Sequence, residues 1–255
     1  MIPSRSTYLT SPMHIASSVR HYDGCIQANT PQGLALMQTA VLGVELCSLC
    51  KFLIETEFPA KFGRNLKMYS LGSNVGYLAL AAAIGAMEVV ERWTPLVVEA
   101  VRRAYALDGN QRGMLHFILR IWCAARDVDY PDGDYPRYEV AEGILRIWNT
   151  PDTELLGAWL VQLCNQHTRL SASRDFMDFA NEFSHMPVDV LMLFRLREEI
   201  GLSNPVVDHP IMKFPWSRLW PVQAALPDEL LAGVYQRLEQ DEGITVPSLY
   251  RMLLT

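Results

Sequence analysis

A chain of 255 residues, half of them hydrophobic and a fifth charged, is long enough to bury a proper core and too apolar to stay disordered. Its formal net charge is -6. That balance lacks the excess of Lys and Arg that neutralises phosphates, which disfavours a nucleic-acid surface and suits a basic partner better.

Residues 1–30 mix Ser, Thr, Pro and His without periodicity and read as an irregular N-terminal arm. They contain no continuous apolar stretch of the secretory kind, so no signal segment is expected. From residue 31 the pattern changes: Leu34, Met37, Val41, Leu42, Leu46, Leu49 and Leu53 recur at spacings of three and four, which predicts a long amphipathic helix. A second helix is expected over 73–91, where Gly76, Ala79, Ala82, Ala83, Gly85 and Ala86 would let a neighbour approach closely. Its most apolar part, residues 75–87, is shorter than the roughly 18 to 20 residues of a membrane span. It therefore reads as a buried helix.

Thr94-Pro95 resembles an N-cap followed by proline at the first helical position, and Asp108-Gly109 a helix stop. Further helices are expected over 111–126, 138–148, from Thr150-Pro151-Asp152 onward, over 174–183, and over 187–200 with Gly201 as the C-terminal glycine. Residues 201–226 carry prolines at 205, 210, 215 and 221, spacing that no regular helix survives. Pro227 and Pro247 open the last two helices. With no alternating strand pattern and no repeat, the expected class is all-α, a single domain over 31–255 of about eight to ten helices packed in antiparallel pairs.

The stretch ARDVDYPDGDYPRYE at 125–139 repeats Asp-Tyr-Pro and gathers Asp127, Asp129, Asp132 and Asp134. A calcium-loop register that places Gly133 at position 6 and Glu139 at position 12 leaves Val128 and Tyr130 where oxygen ligands are required. What remains is a solvated turn, a docking surface for a basic partner, or unpatterned divalent-cation binding. Tyr130 and Tyr135 beside carboxylates are interface-like chemistry, which keeps the docking reading open beside the plain turn. The proline-punctuated loop carries Phe214, Trp216, Arg218 and Trp220, residue types that dominate binding hot spots. The alternative is that these rings fold back and cover the bundle.

Five cysteines, Cys25, Cys47, Cys50, Cys123 and Cys164, are odd in number and scattered through apolar runs, which suits a reduced, cytoplasmic setting. Cys47, Cys50, Cys164 and His167 have the ligand types of a Cys3His zinc site, but both pairs sit inside amphipathic helices, where small thiols fill cores. Glu182-Phe-Ser-His185 is a single Glu-x-x-His without the second copy a di-iron bundle needs. Gly72-Ser-Asn-Val-Gly76 lacks the spacing of a nucleophile elbow and reads as a helix start. Asp208-His209 reads as a polar turn before Pro210. No catalytic residue, cofactor or metal is therefore expected, and the oligomeric state is left open.

At 186–219, MPVDVLMLFRLREEIGLSNPVVDHPIMKFPWSRL, a proline-started helix with an Arg-Leu-Arg core is followed by Asn-Pro and Asp-His-Pro. This part of the chain resembles bacterial helical proteins similar to the immunity proteins that protect a cell from its own polymorphic or type VI secretion toxins. The resemblance implies a cytoplasmic, non-enzymatic protein that binds one toxin domain, for instance a nuclease, and blocks its active site. It assigns no binding residue. Read from the residues themselves, the contact surface would comprise Asp127, Asp129, Tyr130, Asp132, Asp134, Tyr135, Trp216, Arg218 and Trp220. The alternatives are a helical adaptor, chaperone or regulator, or a metalloenzyme whose site assembles from scattered residues.

Overall fold

The computed structural model describes residues 3–62, 71–103, 113–172, 183–222, 229–242, 245, 247–248 and 250–251. Among them there are nine α-helices, one turn of 3-10 helix and no strand, so the protein is all-α as the sequence predicts.

The first departure from expectation is at the N-terminus. Where an irregular arm was expected, α1 (Pro3–Ile26) is a helix that forms a hairpin with α2 (Pro31–Phe62). Periodicity hides it because its inward face is made of small and polar residues: Ser17, His21 and Gly24 are buried there. The two helices touch almost backbone to backbone. A Cβ at Gly43 would stand 2.3 Å from Ser17 Oγ, and one at Gly24 would stand 2.8 Å from the Gly33 carbonyl. Thr30 caps α2 by accepting from the Gly33 N–H at 3.0 Å, and Pro31 takes the first helical position, where its missing donor costs nothing.

At the centre lies α3 (Leu71–Ala83), buried along nearly its whole length and packed against α2, α4, α5 and α8. The single helix expected over 73–91 is two helices. The chain turns at 84–86, where Gly85 has φ +79, a left-handed conformation open to glycine, and α4 (Met87–Arg102) begins. Thr94-Pro95 does not start a helix: Pro95 lies inside α4, and Thr94 returns its hydroxyl to the Val90 carbonyl at 2.7 Å. The buried positions Val89, Val90, Trp93, Leu96, Val97 and Ala100 continue one face straight through the proline. Their burial outweighs the one hydrogen bond that proline removes.

The remaining helices are α5 (Gly113–Ala125), α6 (Glu139–Ile147), α7 (Thr153–Ala172), α8 (Val188–Glu199) and α9 (Glu229–Glu242). Asp152 caps α7 by accepting from the Leu155 N–H at 2.9 Å. Gly201, φ +76, closes α8, and the Leu202 N–H returns to the Arg197 carbonyl at 2.9 Å. The expected stop at Asp108-Gly109 and most of the expected helix over 174–183 lie outside the described residues.

Polar ties cross the bundle. Arg92 grips Glu45 with two bonds of 2.6 and 2.7 Å, and the Tyr250 hydroxyl donates to the same carboxylate, joining α2, α4 and the C-terminal turn. By length and composition the stretch Pro31–Phe52 could cross a membrane, but 78% of its most apolar portion is buried inside the bundle, as in a core helix.

Candidate functional site

The acidic loop leaves α5 through a left-handed residue. Asp127 has φ 53, and the Val128 N–H reaches back to the Cys123 carbonyl at 2.9 Å, so an aspartate takes the place usually given to glycine. Both tyrosines of the Asp-Tyr-Pro repeat then turn inward onto one buried residue of α5, His116. The Tyr130 hydroxyl lies 2.6 Å from His116 Nδ1, while the Tyr135 ring stacks flat on the imidazole, centroids 3.9 Å apart and planes within 6°. Burial pushes the Tyr130 phenol well above its ordinary range, so it remains protonated at neutral pH.

The far end of the loop is pinned as firmly. The Pro136 carbonyl lies so close to Gly113 that a Cβ there would stand 2.2 Å from it. Arg120 and Glu142 form a two-pronged pair between α5 and α6, with one bond of 3.0 Å, and this guanidinium holds the Glu142 carboxyl below the usual carboxylate range. At the base of the loop Arg126 bridges Glu91 and Glu199, the latter at 2.8 Å. Asp127, Asp129, Asp132 and Asp134 are all exposed. The nearest cation to Asp132 is Arg137, 4.0 Å away and itself over the Tyr135 ring.

Of the expected contact residues, the four aspartates stand at the surface, Tyr130 is half-buried and Tyr135 is buried. Tyr135 as a contact is therefore corrected: its ring is committed to His116. His116 itself escaped sequence reasoning, being a lone polar residue on an apolar helix face. The signal that marks it is the five-residue spacing of the two tyrosines, which brings both rings to one point.

The proline-punctuated loop is arranged the other way round. Trp220 is buried, and its N–H donates to the Ala83 carbonyl at 2.8 Å, filling an acceptor left bare at the end of α3. Arg195 of α8 adds a second donor to the neighbouring Ala82 carbonyl, at 2.9 Å beside the Gly85 N–H at 3.1 Å, and also grips the Trp220 carbonyl. Arg218 donates to the Ala28 carbonyl at 3.0 Å while lying over the Trp220 ring. The Trp216 indole donates to His185 at 2.9 Å and stacks on Phe214, half of whose ring remains in solvent. Trp220 as a docking residue is thus corrected. Trp216 and Arg218 are held by main-chain bonds, and the loop is chiefly a cover for the bundle.

The motif at 186–219 is accounted for by the same capping. Arg195 braces the end of α3, and the buried Arg197 donates to the carbonyls of Trp148, Thr150 at 2.9 Å and Ser203 at 2.6 Å, holding the corner between α6 and α7. Asn204 donates to the Phe194 carbonyl at 3.1 Å, Asp208 pairs with Lys213 at 2.8 Å, and His209 Nδ1 accepts from the Ile211 N–H.

Neither pair of the proposed zinc set gathers further ligands. Among the described residues no three His, Cys, Asp or Glu side chains converge. His167, fully buried, has Asp189 Oδ1 at 3.2 Å and the Phe183 carbonyl at 3.0 Å on its two ring nitrogens. Burial pushes the Cys47 thiol up to about 12 and that of Cys50 up to about 11, so both stay protonated as core fillers. Glu182 lies outside the described residues, and His185 is exposed. No family model, curated protein or solved structure matches the chain.

Proposed function

We propose that this chain is a non-enzymatic binding protein of the immunity type, which docks a basic toxin domain on its acidic loop and occludes that domain's active site. One observation carries the reading: four exposed aspartates project from a loop whose backbone is anchored by Tyr130, Tyr135 and the close approach at Gly113. A pinned loop loses little conformational freedom on binding, so its charges act at low entropic cost. The field of the carboxylates accelerates encounter with a basic surface such as a nuclease cleft, and adds more to the rate of association than to affinity.

The test is co-expression with the toxin domain encoded beside it, together with a pull-down of the purified pair. Growth should be rescued by the wild type and rescued less by the combined variant Asp129→Asn, Asp132→Asn, Asp134→Asn. Absence of a complex between the purified proteins contradicts the proposal. A complex with a neighbour that has no toxic activity replaces immunity with an adaptor or regulatory role.

A further inference from the structure

Two titratable side chains, His167 of α7 and Asp189 of α8, touch each other and are shut off from water altogether. The imidazole meets an acceptor at each end: Asp189 Oδ1 lies 3.2 Å from Nδ1, and the Phe183 carbonyl 3.0 Å from Nε2. A neutral imidazole has a single N–H, so one of those contacts would set a lone pair against an oxygen. The carboxylate adds a second difficulty. Oδ1 also accepts from the Val190 N–H at 3.0 Å, whereas the buried Oδ2 takes no hydrogen bond among the described residues. An ionised carboxyl beside a neutral imidazole would be a nearly bare charge in an apolar interior.

We infer that His167 and Asp189 together hold one proton more than a neutral imidazole and a carboxylate would, and that this proton is a pH-sensitive lock on the turn over 183–187. Its position between Nδ1 and Oδ1 does not alter the count, because the proton belongs to the pair. With it the pair is neutral as a whole, a hydrogen lies between Nδ1 and Oδ1, and the Nε2 hydrogen is left for the Phe183 carbonyl.

The lock acts on the turn through that carbonyl. The Phe183 ring covers Gly76 of α3, where a Cβ would stand 2.4 Å from it, and meets Tyr77 and His21 edge-on with centroids 5.0 Å away. The same turn supplies the His185 carbonyl that receives the Trp216 indole at 2.9 Å. Losing the proton therefore loosens the point where α7, α8, α3 and the proline-punctuated loop meet.

Among the described residues, two further titratable groups sense the pair. Burial, and then the charge on Asp189, keep the Cys164 thiol protonated far above neutral pH. Burial, and then the neighbouring His167, hold the His209 imidazole below its ordinary range, while Asp208 favours and Lys213 disfavours its charge. The Arg195 and Arg197 guanidiniums of α8 are committed to main-chain carbonyls. An unfolded chain gives up its imidazole protons near pH 6.5, roughly, and the folded pair retains this one. The stability it contributes is fully present below that value and is lost as pH rises above it.

Urea denaturation of the full chain from about pH 6 to about pH 9, beside Asp189→Asn, tests this. The asparagine amide can donate to Nδ1 of a neutral imidazole whose Nε2 hydrogen keeps the Phe183 carbonyl, so the variant fills the same contacts without the extra proton. Relative to the variant, the wild-type folding constant should fall by up to about tenfold per pH unit above about pH 6.5, the thiols of both chains contributing alike. Protection of the Met186 N–H, bonded to the Phe183 carbonyl at 3.1 Å, should fall with it in the wild type alone. His167→Gln removes the same proton and serves as the reference should Asp189→Asn fail to fold. A wild type whose stability relative to the variant does not change with pH overturns the inference. So does one that weakens toward acid instead, the behaviour of an imidazole buried neutral.

Discussion

Residues 126–138 and 201–222 are both connections without α-helix, both rich in proline and aromatic rings, and they use those residues in opposite directions. In the first, the rings turn inward onto His116 and the charges are left in water. In the second, the charged Arg218 and the rings of Trp216 and Trp220 are drawn back onto main-chain carbonyls and the bundle. What separates them is the depth of the neighbouring helix ends. Both α3 and α5 close through a left-handed residue, Gly85 and Asp127, but the end of α3 is fully buried, and its last carbonyl, Ala83, is met by the Trp220 backbone N–H. The end of α5 lies near the surface, with Ala124 exposed and Ala125 half-buried, so its loop has no such obligation and its carboxylates remain in water.

The contrast can be broken most severely at Arg197, which belongs to the capping side. Arg197→Met removes the donors of three carbonyls, leaving that of Trp148 buried and those of Thr150 and Ser203 part-buried, and should cost about 2 to 4 kcal/mol in chemical denaturation. Trp220→Ala should cost about 3 kcal/mol by opening a cavity over α3, whereas an exposed docking residue would tolerate the change. On the acidic side, Tyr135→Leu removes the stack on His116 and should cost about 1 to 2 kcal/mol while loosening the loop, read as faster amide exchange over 128–136.

A smaller effect sharpens the comparison through pH. In the folded chain Arg120 keeps the Glu142 carboxyl ionised at pH values where the unfolded chain already binds a proton. The stability this contributes is present above the ordinary carboxylate range and is lost as pH falls through the depressed value. Glu142→Gln should therefore flatten the acid limb of the stability curve by about 0.5 to 1 kcal/mol, the side chains being partly solvated. The smallest effect on folding belongs to the exposed aspartates: Asp129→Asn, Asp132→Asn and Asp134→Asn together should leave the unfolding midpoint within about 2 °C of the wild type.

How far the sequence discloses this follows the same physics. A helix with one aliphatic face, such as α6, announces itself through spacing, whereas α2 is buried on nearly every side over 33–49, and Asp152 and Gly201 mark the start of α7 and the end of α8 because caps are local chemistry. Helix α1 does not announce itself, because its packing rests on Gly24 and Gly33 admitting another backbone and on Gly43 admitting the Ser17 side chain, a property that leaves no periodic signature. The turn at Gly85 is equally silent, since the small residues on both sides read as one continuous run. At the candidate site the carboxylates are legible, because four aspartates in eight residues have no reason to be buried. The inward course of Tyr135 and Trp220 is not, because their partners, His116 and the Ala83 carbonyl, are brought near only by the tertiary fold.

The central claim, that the pinned acidic loop is a docking surface, is tested most directly by titrating the protein domain encoded beside this chain with the wild type and with the triple asparagine variant, at low and high salt. The account predicts at least tenfold weaker binding by the variant at low salt and a flatter dependence on salt, because the screened charges are those that were removed. Equal affinities with equal salt dependence would contradict it and return residues 127–134 to the role of an ordinary solvated loop.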